Sequence, residues 1–85
     1  MINLYKNLPT LDLHGEVGEV SRILINDFID DSIKMKKNKI IIIHGVGKKV
    51  LQKVTRETLS KNKYVEDFKI DNFNAGQTIV LLKKQ

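Results

Sequence analysis

The chain has 85 residues, of which 41% are hydrophobic and 29% charged, and this composition predicts one small globular domain. It contains no cysteine, which excludes disulfides and thiolate metal sites. The longest apolar run is four residues, too short to cross a bilayer, and no signal-peptide pattern is present, so we expect a cytoplasmic protein without membrane partners.

The charge is positive and unevenly distributed. The formal net charge is +5, and residues 34–63 hold ten basic side chains and one acidic one, whereas residues 1–33 hold two basic and six acidic ones. A basic middle favours an anionic partner, above all nucleic acid. The alternative is an ordinary lysine-rich surface exposed to water, and charge by itself does not separate these two interpretations.

The first residues predict a short lead-in, 1–9, to a single domain over residues 10–85. Three apolar side chains of the lead-in are expected to cover part of a sheet: Leu4, Tyr5 and Leu8. Pro9 directs the preceding residue away from helix. The lead-in is too short to be a domain of its own.

Residues 10–14 form the first predicted strand. Alternation places Asp12 and His14 on the face opposite to the two leucines of the strand. An acidic residue within a strand is unusual. Asp12 is therefore either a functional carboxylate or a carboxylate that accepts a backbone N–H group of the following turn.

Residues 17–35 predict the first helix because apolar side chains recur at helical spacing. The expected buried stripe consists of Val17, Val20, Leu24, Phe28 and Met35, widened by Ile23, Ile25, Ile29 and Ile33. We interpret the aspartates at positions 27, 30 and 31 as a solvated face rather than a metal cluster. The lysines at positions 34–39 belong to a loop at the amino ends of the strands, where they are poor catalytic candidates but can hold distant phosphates.

The next stretch organises the chain. Four consecutive isoleucines, residues 40–43, predict a buried strand, and a helix is predicted to begin near Lys48. Between them lie His44, Gly45, Val46 and Gly47. Glycines permit a sharp turn and the close approach of a ligand, and helix N-termini attract anions. Strand, glycine turn and helix together predict an anion site.

The same arrangement occurs twice. His14 and His44 are the two histidines of the chain, each precedes a glycine, and they are thirty residues apart, which is about one βαβ unit. The carboxyl ends of neighbouring parallel strands meet at one edge of a sheet, where open α/β sheets bind ligands. We therefore expect the two His-Gly turns to lie side by side.

Two further strands complete the predicted sheet. Residues 64–70 and 77–82 have strand patterns, and the intervening residues 71–76 are rich in turn formers. The two strands are expected to form a hairpin.

These motifs resemble those of the Smr (small MutS-related) domain family. The resemblance rests on Leu11-Asp12-Leu13-His14-Gly15, on Ile42-Ile43-His44-Gly45-Val46-Gly47, on residues 65–68 and on Gly76-Gln77-Thr78-Ile79-Val80. It implies a two-layer α/β (α+β) sandwich of order β-α-β-α-β-β with a four-stranded mixed sheet, similar to the C-terminal domain of translation initiation factor three. The implied sheet order is first, second, fourth and third strand, with the fourth antiparallel, and this order would bring Gly76 and Thr78 close to His44. It also implies endonuclease activity on DNA or RNA, a connection to DNA repair and, for some members, ribosome rescue.

The resemblance assigns roles to particular residues. The resemblance implicates Asp12 and His14 in cleavage, and we name His44 as a third catalytic candidate, with holding the phosphate or shaping the site as its alternative role. The predicted phosphate-binding set joins residues of the glycine motifs to the lysines that begin the second helix, and it consists of Gly45, Gly47, Gly76, Thr78, Lys48, Lys49 and Lys53. The chain departs from the family pattern at Lys49, where the last glycine of His-Gly-x-Gly-x-Gly is missing, and at Gly76, where the family has two or three glycines. Direct lysine–phosphate contacts are expected to compensate for the lost glycine.

Two histidines around a phosphate suit acid–base cleavage, by attack of an RNA 2′-hydroxyl, with no required cofactor. Asp12 would orient an imidazole or, as an alternative, hold Mg²⁺. His44 as a purely structural histidine is an open alternative. A module that binds nucleic acid or the ribosome without turnover is a second open alternative, and a protein-interaction adaptor is a third. We expect the protein to be a monomer or a weak dimer.

Overall fold

The computed structural model describes residues 8–47 and 49–84. The elements are β1 (Thr10–Asp12), α1 (Gly18–Lys34), β2 (Lys39–Ile43), α2 (Lys49–Lys61), β3 (Val65–Asp71) and β4 (Asn74–Leu82). The sheet order is β1-β2-β4-β3, with β1 and β2 parallel and β4 antiparallel to both of its neighbours. The predicted fold class is therefore confirmed. The expected packing of Leu4 and Tyr5 lies outside the described residues, and the domain boundaries and the likeness to the initiation factor stay predictions.

One hydrophobic core lies between the sheet and the two helices. Ile40 and Ile42 of β2 are fully buried against α1 and α2, in a cluster that also contains Leu13, Ile25, Ile29, Leu51, Leu59, Val80 and Leu82. The opposite face of the sheet also buries side chains, because Ile41 and its cross-strand partner Ile79 are 3% and 6% exposed. The isoleucine strand is thus buried on both faces, as its unbroken apolar run predicts.

The predicted apolar stripe of α1 is correct only in part. Ile25 and Ile29 are buried, and Leu24, Phe28 and Ile33 pack against the core. Val17, Val20, Ile23 and Met35 are exposed, whereas Ser21 and Ser32 are buried. The physical reason is the close packing of α1 against α2: a Cβ added at Gly18 would lie 3.3 Å from the Val54 side chain. Small residues occupy this contact, and hydrophobicity alone does not reveal them. Val50 is likewise exposed on α2.

The β3–β4 hairpin is tighter than predicted. Asn72 and Phe73 form the turn, and β4 already begins at Asn74, not at position 77. The Asp71 carboxylate holds the turn: Oδ1 accepts the Phe73 N–H at 2.9 Å, and Oδ2 accepts the side-chain amide of Gln77 at 2.8 Å. Among the helices in the described ranges, none has the length and apolar character to span a membrane.

Candidate nucleic-acid interface

The two His-Gly turns lie at the same end of the sheet, which we call the carboxyl edge. β1 and β2 are parallel with Asp12 opposite Ile43, and the Leu13 N–H donates to the Ile43 carbonyl at 2.8 Å. The chain leaves both strands at this edge, so His14 and His44 follow neighbouring strand ends. The predicted juxtaposition of the two turns is therefore present.

The first turn exposes its chemical groups. The His14 N–H donates to Asp12 Oδ1 at 2.9 Å, the Glu16 N–H donates to the Leu13 carbonyl at 3.0 Å, and Gly15 has φ +82°. Asp12 and His14 are both exposed to solvent. One carboxylate oxygen of Asp12 thus fixes the turn, as the structural alternative predicted, while the imidazole of His14 faces water and is accessible to a substrate.

The second turn encloses its histidine. His44 is 1% exposed, with Nε2 at 2.8 Å from the Thr78 hydroxyl and Nδ1 at 3.1 Å from the Gly45 carbonyl. A carbonyl oxygen only accepts, so Nδ1 carries the proton of this bond, and in the neutral ring Nε2 accepts from Thr78. Both ring nitrogens bind protein groups. This geometry corrects the catalytic assignment of His44: the ring positions the turn and does not face a substrate.

Three of the predicted phosphate contacts are used inside the protein. The Gly76 carbonyl accepts N–H groups from His44 and Gly45, each at 2.9 Å, and the Gly76 N–H donates to the Asn74 side chain at 2.9 Å. Thr78 is 5% exposed and binds His44. Gly45, Gly76 and Thr78 therefore hold the second turn against β4 instead of presenting donors to a ligand. Gly47 differs, because it is exposed and a Cβ added there would meet nothing within 4 Å.

A groove of about 480 Å³ opens beside the His14-Gly15 turn, between the N-terminal ends of α1 and α2. Its walls are formed by Gly15, Glu16, Val17 and Gly18 on one side and by Lys49, Val50 and Leu51 on the other. Val17 caps α1 without a side-chain hydrogen bond. Both helix N-termini therefore direct partial positive charge towards the groove, and Lys49 adds a full charge at the start of α2.

Comparison with known proteins agrees with this geometry. The model of the Smr domain family matches residues 11–83. The chain belongs to the Smr domain family. Relatives named Endonuclease MutS2 include one from Clostridium perfringens, 27% identical over 85 residues, and one from Geobacillus sp., 35% identical over 72 residues. These alignments cover 96% and 85% of this chain but 11% and 9% of the relatives, so the chain spans about a tenth of their length.

Solved Smr structures share the fold. The Smr domain of Thermus thermophilus MutS2 superimposes with a TM-score of 0.85 at 23% identity, covering 89% of this chain and 99% of that one. YdaL, a stand-alone small MutS-related protein from Escherichia coli, gives a TM-score of 0.84 at 20% identity, covering 88% of this chain and 64% of that one. The two-layer architecture is therefore that of Smr domains.

Charges of both signs surround the groove of this Smr domain. Glu16 lies on the wall opposite to Lys49, so an anion is favoured on the α2 side. Lys53, one helical turn further on, lies 4.0 Å from Glu57 in an exposed ion pair. The predicted contact from Lys48 lies outside the described residues. Within residues 8–47 and 49–84, no three His, Cys, Asp or Glu side chains are grouped to hold a metal ion.

Sequence reasoning missed two side chains that shape the site. Gln52 donates its side-chain amide to the Gly45 carbonyl at 3.1 Å and to the Val46 carbonyl at 3.3 Å, and Asn74 receives the Gly76 N–H. Both fasten the second turn. The sequence carries no local signal for Gln52, because its acceptor carbonyls lie six and seven residues before it in the preceding turn. The Asn74 bond is local, since Gly76 lies two residues further along β4.

Proposed function

We propose that this Smr domain binds the phosphodiester backbone of nucleic acid at the carboxyl edge and cleaves it as an endonuclease, with His14 as the proton-transferring group. The observation that carries the proposal is the exposed Asp12–His14 turn beside a groove onto which two helix N-termini and Lys49 open. Relatives with this domain are named endonucleases. Ribosome rescue, DNA repair and oligomeric state stay predictions.

Binding in the groove follows from its electrostatics. Unbonded N–H groups at helix N-termini favour a phosphate, and a lysine contact to phosphate adds affinity without sequence preference. Repulsion from Glu16 directs the backbone towards Lys49 and Gly47, where the open space at Gly47 permits close approach. The strand is therefore expected to run along the α2 side of the groove.

The chemistry is written for RNA, because a 2′-hydroxyl supplies the nucleophile without a metal. His14 takes the proton of the 2′-hydroxyl, and the 2′-oxygen forms a bond to the neighbouring phosphorus. The bond from that phosphorus to the 5′-oxygen then breaks. The products are a 2′,3′-cyclic phosphate and a 5′-hydroxyl, whose oxygen takes a proton from water. Lys49 and the helix N-termini stabilise the negative charge that develops on phosphorus. On DNA, which lacks the 2′-hydroxyl, Asp12 would hold a Mg²⁺ ion, which would supply an activated water as the nucleophile.

A binding module without turnover is the second candidate. Burial of His44 favours it, because a single exposed imidazole remains where two were expected to share acid and base roles. Lys49, which stands where the family has a glycine, also favours a binding module, because a charged side chain replaces a backbone contact.

The deciding experiment compares cleavage of matched RNA and DNA strands, with and without chelator, by the wild type, His14→Gln and Asp12→Asn. The matched control is Asp67→Asn, because Asp67 is also exposed and also accepts a local backbone N–H, that of Phe68, at 2.9 Å. We expect loss of cleavage by about a hundredfold or more for His14→Gln and none for the control. Equal cleavage by all four proteins, with binding retained, would establish the module without turnover and attribute the activity to contamination.

Binding is tested separately with Lys49→Gln. Removing one phosphate contact is expected to make the slope of log affinity against log salt shallower by about 0.7 on single strands and about 0.9 on duplex. Lys61→Gln removes the same charge from an exposed position on α2 that does not line the groove, and it serves as the control. An unchanged slope for Lys49→Gln would remove that lysine from the interface.

A further inference from the structure

A second basic surface lies at the opposite end of the sheet, which we call the amino edge. A concavity of about 360 Å³ is lined there by five lysines together with Ile33 and Asn38. The lysines, all exposed, are Lys34, Lys36, Lys37, Lys83 and Lys84, and we call them the amino-edge lysine cluster. Two segments distant in sequence meet here, because the Leu82 N–H donates to the Asn38 carbonyl at 2.9 Å.

The backbone at Lys36 is a second and independent observation. Lys36 has φ +60°, and it is the one non-glycine residue with positive φ among residues 8–47 and 49–84. It follows the end of α1, where the Lys36 N–H donates to the Ile33 carbonyl and the Lys37 N–H to the Ser32 carbonyl, each at 2.9 Å. Glycine is the usual residue at this position after a helix, because a side chain is strained there.

A lysine in a strained position indicates that the side chain serves a purpose other than folding. The lining of the concavity includes no acidic residue, and its one apolar residue, Ile33, is partly buried. A protein partner would need an apolar core to its interface. A polyanion needs clustered cations and no apolar core, so the chemistry of the amino-edge lysine cluster fits a phosphate backbone.

The distance between the two edges sets the size of the substrate. α1 begins at the groove with Gly18 and ends at the cluster with Lys34, so its 17 residues span roughly 25 Å at 1.5 Å each. Stacked nucleotides are spaced about 3.4 Å apart along a strand, so this length corresponds to about seven nucleotides. One strand can therefore reach both edges.

We propose that the amino-edge lysine cluster is a second phosphate-backbone site, which binds the same nucleic acid about seven nucleotides from the carboxyl-edge groove. This inference rests on the proposed function, because it names a longer substrate for the same groove. It gives the domain a minimum substrate length: a strand of four nucleotides contacts one edge, and a strand of about fourteen contacts both.

The first test measures the affinity of non-cleavable strands of four and fourteen nucleotides against salt. In the double variant Lys37→Gln/Lys84→Gln, the salt slope for the long strand is expected to fall by about 1.4, which is about 0.7 for each lysine. The slope for the short strand is expected to stay unchanged. Lys61→Gln, which removes one charge from an exposed position that lines neither the groove nor the amino-edge concavity, is the control.

The second test uses Lys36→Gly, which removes a charge and relieves the strained backbone together. The melting temperature is expected to rise by about 2–6 °C, while the affinity for the long strand falls and its salt slope becomes shallower by about 0.7. A solvated lysine with no ligand predicts the higher melting temperature with unchanged binding, and that result would overturn the inference.

The outcomes separate this inference from the proposed function. Unchanged binding of the long strand by both lysine variants, together with weaker binding by Lys49→Gln, would refute the second site and leave the carboxyl-edge groove intact. A wild-type protein that binds neither strand would refute the proposed function itself.

Discussion

The same substitution at two buried threonines is expected to change stability in opposite directions. Thr78 is 5% exposed and its hydroxyl lies 2.8 Å from His44 Nε2, whereas Thr55 is 1% exposed and its Oγ1 has no hydrogen-bond partner among the described residues. Valine has nearly the shape of threonine without the hydroxyl. Thr78→Val and Thr55→Val therefore compare a bonded with an unbonded buried hydroxyl at almost constant packing.

The magnitudes follow from the cost of unpaired polar groups. Thr78→Val leaves a buried ring nitrogen of His44 without a partner, which costs about 1–3 kcal/mol of unfolding free energy. A domain of this size has about 4–13 kcal/mol in total and loses about 4–8 °C of melting temperature per kcal/mol. Thr55→Val removes a hydroxyl whose burial is already uncompensated, so it is expected to be neutral or to stabilise by about 1 kcal/mol.

Urea denaturation of the wild type and both variants measures the difference, with equal m-values required so that the midpoints report stability. Thr78→Ser is a further control, because it keeps the hydroxyl and loses a methyl group. A Thr78→Val protein as stable as the wild type, within about 0.5 kcal/mol, would show that the bond to His44 contributes little to the fold. His44 would then be available for a different role.

Two further predictions concern glycines of the carboxyl edge. Gly76→Ala is expected to cost about 1–3 kcal/mol, because the new Cβ would lie 3.2 Å from Asn74 Oδ1 and 3.3 Å from the Val46 side chain. Gly47→Ala is its control, because nothing lies within 4 Å of a Cβ there, and its unfolding free energy is expected to stay within about 1 kcal/mol of the wild type. Equal urea midpoints for the two variants would show that the hairpin can move away from the turn. Gly15→Ala is expected to cost about 1–2 kcal/mol although its surroundings are open, because φ is +82° there; a neutral effect in thermal melts would mean that the first turn changes its backbone conformation.

Local patterns predicted the elements of the fold because each pattern corresponds to one physical requirement. Four isoleucines in a row predicted a strand buried on both faces, and Ile41 is indeed buried opposite to Ile40 and Ile42. The two His-Gly pairs predicted turns at neighbouring strand ends, and the register of β1 on β2 places them there. Strand order came from the family resemblance, and it is confirmed by the pairing of β4 between β2 and β3.

Other features could not be predicted because they depend on contacts between distant segments. The buried face of α1 is set by its small residues against α2, so Ser21 is buried while the larger Ile23 is exposed. The fate of the His44 ring depends on Thr78, thirty-four positions away on another strand. The family resemblance indicated that His44 and Thr78 approach each other. It did not indicate that the imidazole and the hydroxyl bond to each other and leave no donor for a ligand.

The two His-Gly turns, alike in sequence, therefore have different roles at the carboxyl edge. The second turn is fastened by Thr78, Gln52 and the Gly76 carbonyl, so substitutions in it are expected to change stability. They are expected to change binding only by moving α2 and Lys49. The first turn is exposed, and among side chains in the described residues Asp12 alone fastens it, so substitutions at His14 are expected to have little effect on the fold. If the proposed function is correct, they lower cleavage. Loss of cleavage at unchanged melting temperature is thus the signature that separates a catalytic group from a positioning one at this edge.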